Sequence, residues 1–314
     1  MRRIVALLFL FSLSTFGQSG PIEIGLALKA PFQFVAYGDT RFTNPADTGA
    51  SNADARVALV KAIADAHPSF ISIGGDLVYN GYDPNDWKTY DSETAPWQQS
   101  NIPVFPALGN HDLHGSETVA LANYFHRFPD LQGNRFYSVR AANTLMLVLD
   151  SSQDETTGPQ GEWLKRKLET IPVDVGFVFI VLHHPPYTRS SDREILHGGG
   201  HSARHREKDL AAFLEATQLK LRARIIVIAG HVHNYERYEH GGVTYLVTGG
   251  GGAHPYHIAR TADDPLRDYE VNYHYLLVEV KTDSVKITMN RLELDNGKAK
   301  WSQPDKVTID LPKP

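Results

Sequence analysis

Apolar residues in this chain come in short runs, and each run is stopped by glycine or by a side chain able to bind a proton or a metal. Phe32 to Tyr37 stops at Gly38-Asp39-Thr40-Arg41, and Phe70 to Ile73 stops at Gly74-Gly75-Asp76. Ile102 to Ala107 stops at Gly109-Asn110-His111-Asp112, and Thr144 to Leu149 stops at Asp150. Gly176 to Leu182 ends in His183-His184-Pro185-Pro186, and Arg224 to Ala229 ends in Gly230-His231-Val232-His233. Runs this short, bounded by turn residues, predict buried β-strands. Helical spacing fills the gaps: Asn52 to Ala66, with Val57, Val60, Ile63 and Ala64 in phase, then Glu117 to Phe128, Gln160 to Ile171 and Glu207 to Thr217. Thr244 to Thr248 is a further strand, followed by the glycines 249–252.

From Tyr273 the period changes to two. Leu276, Val278 and Val280 alternate with Leu277, Glu279 and Lys281, and Val285, Ile287 and Met289 alternate with Lys286, Thr288 and Asn290. That is an antiparallel hairpin turning at Thr282-Asp283, with an edge strand expected at Val307 to Ile309. Tyr79 to Asn101, rich in Asp, Trp, Tyr and Pro, reads as a functional surface loop. Strand-helix alternation followed by antiparallel strands predicts an α/β layered domain with mixed sheets. With no repeat and no linker, residues 20–314 read as one domain.

Composition narrows the function. The 314 residues carry a formal net charge of -5, which argues against a nucleic-acid polymer as partner. There is no cysteine, so a disulfide, a thiolate site and a Cys nucleophile are excluded, and any metal must take N and O ligands. Residues 1–19 have the pattern of a signal peptide: Arg2 and Arg3, an apolar stretch from Ile4 to Phe16, then the small residues Gly17, Ser19 and Gly20. The apolar stretch is short of the roughly 20 residues of a membrane span. The expectation is an exported protein, periplasmic or secreted, with no stable membrane insertion after cleavage. Nothing here sets an oligomeric state.

Strand ends in an α/β sheet are where ligands bind. Asp39, Asp76, Asn110 with His111, His183 with His184, and His231 with His233 all fall at such ends. Singly, an aspartate there is a turn or cap residue, and Asn110 after glycine is an ordinary turn. Together they form a set of carboxylates, an amide and imidazoles suited to two ions such as Fe, Mn or Zn. The glycines beside them are expected to let the backbone turn tightly off each strand.

The series GD, GDLVY, GNHD, HHPP and GHVHNYER resembles the calcineurin-like metallophosphoesterase superfamily, and within it the purple acid phosphatases. The motifs run from Asp39 to Arg237. The resemblance implies a four-layer α/β/β/α sandwich with two mixed sheets and a binuclear metal centre. It implies Asp39 and His233 on the first metal, Asp76 bridging, and Asn110 and His231 on the second. The family's H-x-P-x-aromatic register favours His183 over His184 as the remaining ligand. Many members place a second first-metal ligand two residues after the first Asp; here that residue is Arg41, which stays protonated and cannot ligate. Purple acid phosphatases use instead a Tyr three residues after the bridging Asp, and this chain has Tyr79 there. A tyrosinate implies Fe(III) in the first site, with Fe, Zn or Mn in the second; packing under the loop is the other role open to Tyr79.

Arg41 is left either to bind a phosphate oxygen or to pair with a nearby carboxylate. His111 resembles the histidine that contacts the phosphate or protonates the leaving oxygen, with Asp112 expected to orient it. His201 stands where relatives place a further substrate histidine, and His197 is its rival. Glu236 and Arg237 read as structural. The implied reaction is hydrolysis of a small-molecule phosphate monoester by a metal-activated water. A phosphodiesterase on the same scaffold, and a non-catalytic binding protein of the same fold, are the alternatives. The extra N-terminal β domain of plant relatives is not expected, since about a dozen residues separate the leader from the first strand.

Overall fold

Strands that are apolar throughout need cover on both faces, and the chain supplies it with a second sheet on one side and helices on the other. The computed structural model describes residues 21–190, 201–256, 258, 260, 266 and 272–313. The leader residues 1–19 and His197 lie outside them. One sheet runs β1 (Glu23–Leu26), β5 (Tyr137–Ala141), β6 (Thr144–Val148), β7 (Phe177–Leu182), β8 (Arg224–Ala229), β10 (Val243–Thr248), β9 (Tyr235–His240). The other runs β13 (Lys298–Ser302), β12 (Ser284–Asp295), β11 (Tyr273–Val280), β2 (Phe32–Tyr37), β3 (Ile71–Ile73), β4 (Val104–Pro106), with β14 (Lys306–Asp310) also on β12.

Alternate residues of one strand face two different cores. Phe177, Phe179 and Val181 of β7 join the inter-sheet core, where Phe179 meets Phe34 of β2 edge-on at 5.1 Å. Val178, Ile180 and Leu182 face outward under helices α5 (Gly158–Glu169) and α6 (His205–Gln218), against Trp163, Leu164, Leu210 and Leu214. Helices α1 (Ala53–Asp65), α2 (Pro84–Glu93), α3 (Ala95–Gln99) and α4 (Glu117–Arg127) lie on the side of the second sheet. The result is the α/β/β/α sandwich expected. Strands β2, β3 and β4 are parallel, as are β6, β7, β8 and β10, so their carboxyl ends meet along one rim.

Three expectations need correction. The segment Tyr79 to Asn101 is not an open loop: it folds into α2 and α3 and buries Trp87 and Trp97. The helix signals were present, since Asp83 caps α2 by accepting from the Asn85 amide and Pro84 stands in its first turn. Val57 points to solvent at 54% exposure, while Arg56 takes the buried face of α1. Its guanidinium is held by Glu93 and by the carbonyl of Thr43. Strands β1, β5, β9 and β13 were not anticipated; β9 is the continuation of the His231-Val232-His233 turn. The hairpin was placed correctly, with Val280 paired to Val285.

Candidate metal centre

The acids that end β2 and β3 do not sit in extended backbone. Asp39 has φ 59°, Asp76 φ 52° and His231 φ 68°, a left-handed conformation costing about 1–3 kcal/mol for a residue with a Cβ. The strain is held by a backbone ladder between the two loops: Asp39 N–H to Gly75 O at 3.0 Å, Arg41 N–H to Asp76 O at 2.9 Å and Phe42 N–H to Leu77 O at 2.7 Å. The adjacent glycines serve mainly by leaving space. A Cβ on Gly109 would lie 2.2 Å from the Asp76 nitrogen, and one on Gly230 would lie 2.6 Å from Asp39 Oδ2 and from Gly74 O.

Hydrogen-bond partners fix which imidazole nitrogens carry lone pairs. His233 Nδ1 lies 2.7 Å from the His254 carbonyl, which only accepts, so Nδ1 bears the proton and Nε2 is bare. That bare nitrogen faces Asp39 Oδ1 at 3.4 Å, and both atoms are buried without a hydrogen-bond partner among the described residues. An orphaned buried polar atom costs about 1–3 kcal/mol. Two facing lone pairs are relieved by a cation or by a proton. The protein offers the proton: burial raises the Asp39 carboxyl to about 7, against the pull of His183 and Arg41. A metal ion would displace it.

His183 is read the same way. Its Nδ1 donates to Gly74 O at 2.9 Å, leaving Nε2 bare. Around that Nε2 stand Asn110 Oδ1 at 3.1 Å, His231 Nδ1 at 3.2 Å and Asp76 Oδ1 at 3.3 Å. Asp76 also belongs to the first cluster: ligand atoms of Asp39, Asp76 and His233 lie within 4.8 Å of one another. Burial opposes ionisation of Asp76, but the imidazoles of His183 and His111 and the guanidinium of Arg41 beside it outweigh that and hold its carboxyl well below the ordinary range. Burial lowers His231 and His233 well below the usual imidazole range, which keeps them neutral as ligands must be. The residues present therefore fit two cations sharing one carboxylate.

The remaining residues fall close by, with two changes of role. Arg41 directs Nη2 and Nε at Asp76 Oδ2, at 3.3 and 3.4 Å, so of its two open roles this structure shows the carboxylate pairing. Asp112 does not orient the His111 ring. Its oxygens accept the amides of Leu77, Val78 and Gly109 at 2.9–3.3 Å, and the His111 Nδ1 goes instead to Tyr79 O at 2.8 Å. His111 Nε2 is 4.0 Å from Asp76 Oδ2, and burial lowers its pKa to about 4. The Tyr79 ring is half-buried and stacks on His111 at 5.2 Å. His201 Nδ1 lies 3.1 Å from His231 Nε2. Glu236 accepts from the Thr188 hydroxyl at 2.6 Å, and Arg237 pairs with Asp305 at 2.8 Å, both structural.

A family model for the calcineurin-like phosphoesterase domain matches residues 32–235, a span that runs from β2 to the start of β9 and contains every residue of both clusters. The chain belongs to that family. Among curated phosphoesterases, it is 27% identical over 238 residues to purple acid phosphatase 23 of Arabidopsis thaliana, covering 63% of this chain and 50% of that protein. It is 26% identical over 195 residues to a phosphoenolpyruvate phosphatase of Allium cepa, covering 56% of this chain and 38% of that protein. The chain thus matches half or less of the length of these relatives. In fold, the phosphoesterase domain superposes on purple acid phosphatase PPD1 from yellow lupin seeds with a TM-score of 0.69 at 16% identity, over 90% of this chain and 54% of that one. It superposes on GAP50, the anchor in the inner membrane complex of Plasmodium, with a TM-score of 0.65 at 15% identity, over 91% and 90%.

Two contributors to this centre escaped the sequence reading. Tyr256 stacks flat on His233 at 4.2 Å and on His201 at 4.4 Å. Its backbone is pinned by Asn234, whose amide donates to Tyr256 O at 2.6 Å. His254 supplies the carbonyl that sets the His233 tautomer. The available signal was the run of four glycines before them: a Cβ on Gly249 would meet Val232 O at 2.2 Å, so the run is the price of laying this segment against the histidine turn.

Proposed function

We propose that this chain is an exported hydrolase of small-molecule phosphate monoesters, working with two metal ions held by Asp39, Asp76, Asn110, His183, His231 and His233. The observation that carries the reading is Asp76, one carboxylate lying beside both clusters of candidate ligand atoms. Bound there, the ions supply an activated water and charge stabilisation for an in-line displacement. Tyr79, following the purple acid phosphatase pattern, completes the first site and favours Fe(III), with Fe, Zn or Mn in the second.

The chain's own groups do the rest. Arg41, paired with Asp76 Oδ2, offsets the repulsion between the Asp39 and Asp76 carboxylates. His111, its Nδ1 committed to Tyr79 O, has Nε2 as the one nitrogen able to hand a proton to the leaving oxygen. A neighbouring phosphate dianion raises its depressed pKa toward the working range. His201, beside His231, completes the substrate side. Export is supported by the pattern of residues 1–19, and among the described residues no helix is long and apolar enough to cross a membrane.

The test is metal analysis with a visible spectrum and paired ester rates. Expected are two ions per chain, a tyrosinate-to-iron band that vanishes in Tyr79→Phe, and faster cleavage of a phosphate monoester than of the matching diester. His233→Ala should lose the first-site metal and His231→Ala the second. A diester preference would move the assignment to a phosphodiesterase. A purified, reconstituted chain that binds no metal would favour a non-catalytic binding protein.

A further inference from the structure

His184 has no task in the reading above, yet it sits beside the centre. One of its ring nitrogens lies within 4.8 Å of ring nitrogens of His183 and His231, and its ring is 4.3 Å from that of His231. Proximity alone would make it a further ligand. The hydrogen bonds around the ring say otherwise.

His184 Nδ1 lies 2.8 Å from Ser151 Oγ, and the same oxygen accepts the His184 backbone N–H at 3.1 Å. Ser151 is fully buried, so its hydroxyl proton needs an acceptor, and among the described residues Nδ1 is the acceptor it has. With a proton on Nδ1, the serine oxygen would receive two N–H groups and its own proton would be stranded away from water. The neutral ring therefore carries its proton on Nε2. This is the reverse of His183, whose Nδ1 gives its proton to Gly74 O. A ligand must present a lone pair, and His184 presents an N–H.

The serine is held in place from the other side. Its carbonyl accepts Arg204 Nη2 at 2.8 Å and Arg206 Nη2 at 2.6 Å, and Arg206 Nη1 reaches Ser152 O at 3.2 Å. The buried Glu207 carboxylate takes the Nε of both arginines, at 2.9 and 3.3 Å. The start of α6 thereby clamps the loop after β6, and the loop clamps the imidazole. His184 itself is only partly buried, so Nε2 is not sealed in the core.

We propose that His184 is a hydrogen-bond donor of the second metal site, offering Nε2–H to a phosphoryl oxygen of the bound ester, and that Ser151 is the positioning residue that fixes this tautomer. The proposal rests on the phosphoesterase reading, and the following test separates the two. Long-range nitrogen–proton spectra of protein labelled with 15N-histidine, metal-free and zinc-loaded, read the tautomers directly. His184 is expected to show a protonated Nε2 and a bare Nδ1 in both states, and His183 the opposite. Titration with inorganic phosphate gives the second readout. His184→Ala and Ser151→Ala should bind phosphate about tenfold more weakly while keeping both zinc ions. His184→Gln, which keeps a donor, and Ser151→Thr, which keeps the hydroxyl, should recover most of the affinity, so a folding defect is not mistaken for the effect. Loss of one zinc in His184→Ala would make it a ligand and overturn the proposal, as would a bare Nε2, unchanged phosphate affinity, or a wild type that binds no phosphate. A wild type that binds phosphate with these tautomers but cleaves no ester would leave His184 as assigned and remove the hydrolase reading.

Discussion

Asp112 shows how much a single carboxylate can organise without touching substrate. Its oxygens collect three amides, those of Leu77 and Val78 just after the bridging Asp76 and that of Gly109 just before Asn110. Burial, reinforced by the charge of Asp76, raises its own carboxyl well above the ordinary range. Asp112→Asn would turn an NH2 group toward at least one of those amides. The expected loss is about 2–3 kcal/mol in chemical denaturation, with metal affinity falling at both sites, whereas a role limited to aiming His111 would leave stability and metal content intact. At this scale the sequence was a good guide to residue type and a poor one to residue role. Asp39, Asp76, Asn110, His183, His231 and His233 were all legible, because carboxylates, amides and imidazoles at strand ends have few other reasons to recur. The register favoured His183 over His184, but the hydrogen bonds that distinguish the two rings, to a carbonyl at Gly74 and a hydroxyl at Ser151, have no signature of their own. Tyr256 escaped for the same reason: its value lies in stacking on His233 from more than twenty residues away.

Elements matter here through how closely their ends approach. The β4 exit passes over Asp76 with no room for a methyl group at Gly109, and the obstruction is backbone, which cannot swing aside. Gly109→Ala should cost more than ~3 kcal/mol and empty the second site, while Gly25→Ala on β1, where nothing lies within 4 Å, should be neutral. Denaturation midpoints and metal content of the two variants check this. The strands that frame the site were legible because they are buried on both faces and read as unbroken apolar runs. Strands β5, β9 and β13 were not, because each mixes polar and apolar residues and is recognised only through its neighbour. Helices α2 and α3 were hidden by composition: Asp, Trp and Pro suggested a loop, while the Asp-Pro start and two buried tryptophans were the truer indication.

For the whole molecule, protonation adds a pH-dependent part to the stability that packing supplies. Glu155 is fully buried, neither of its oxygens has a partner among the described residues, and burial together with the charge of Glu207 raises its carboxyl from 4.5 to about 8. Between those values the folded chain holds a proton that the unfolded chain has released, so stability falls as pH rises through the window. Glu155→Gln, permanently neutral, should match the wild type at acidic pH and exceed it above the folded pKa, as read from denaturant midpoints; a parallel fall in both proteins would refute the assignment. Asp39 contributes in the same sense up to about pH 7 in metal-free protein, and added metal should abolish that part of the slope. The two clusters also have a mechanical meaning. Asp39 and Asp76 hang from one sheet, and His183 and His233 from the other, so each facing pair spans the seam between the two layers. An ion seated in either cluster would act as a rivet against shear, fastening the two sheets at the rim where the chemistry is done.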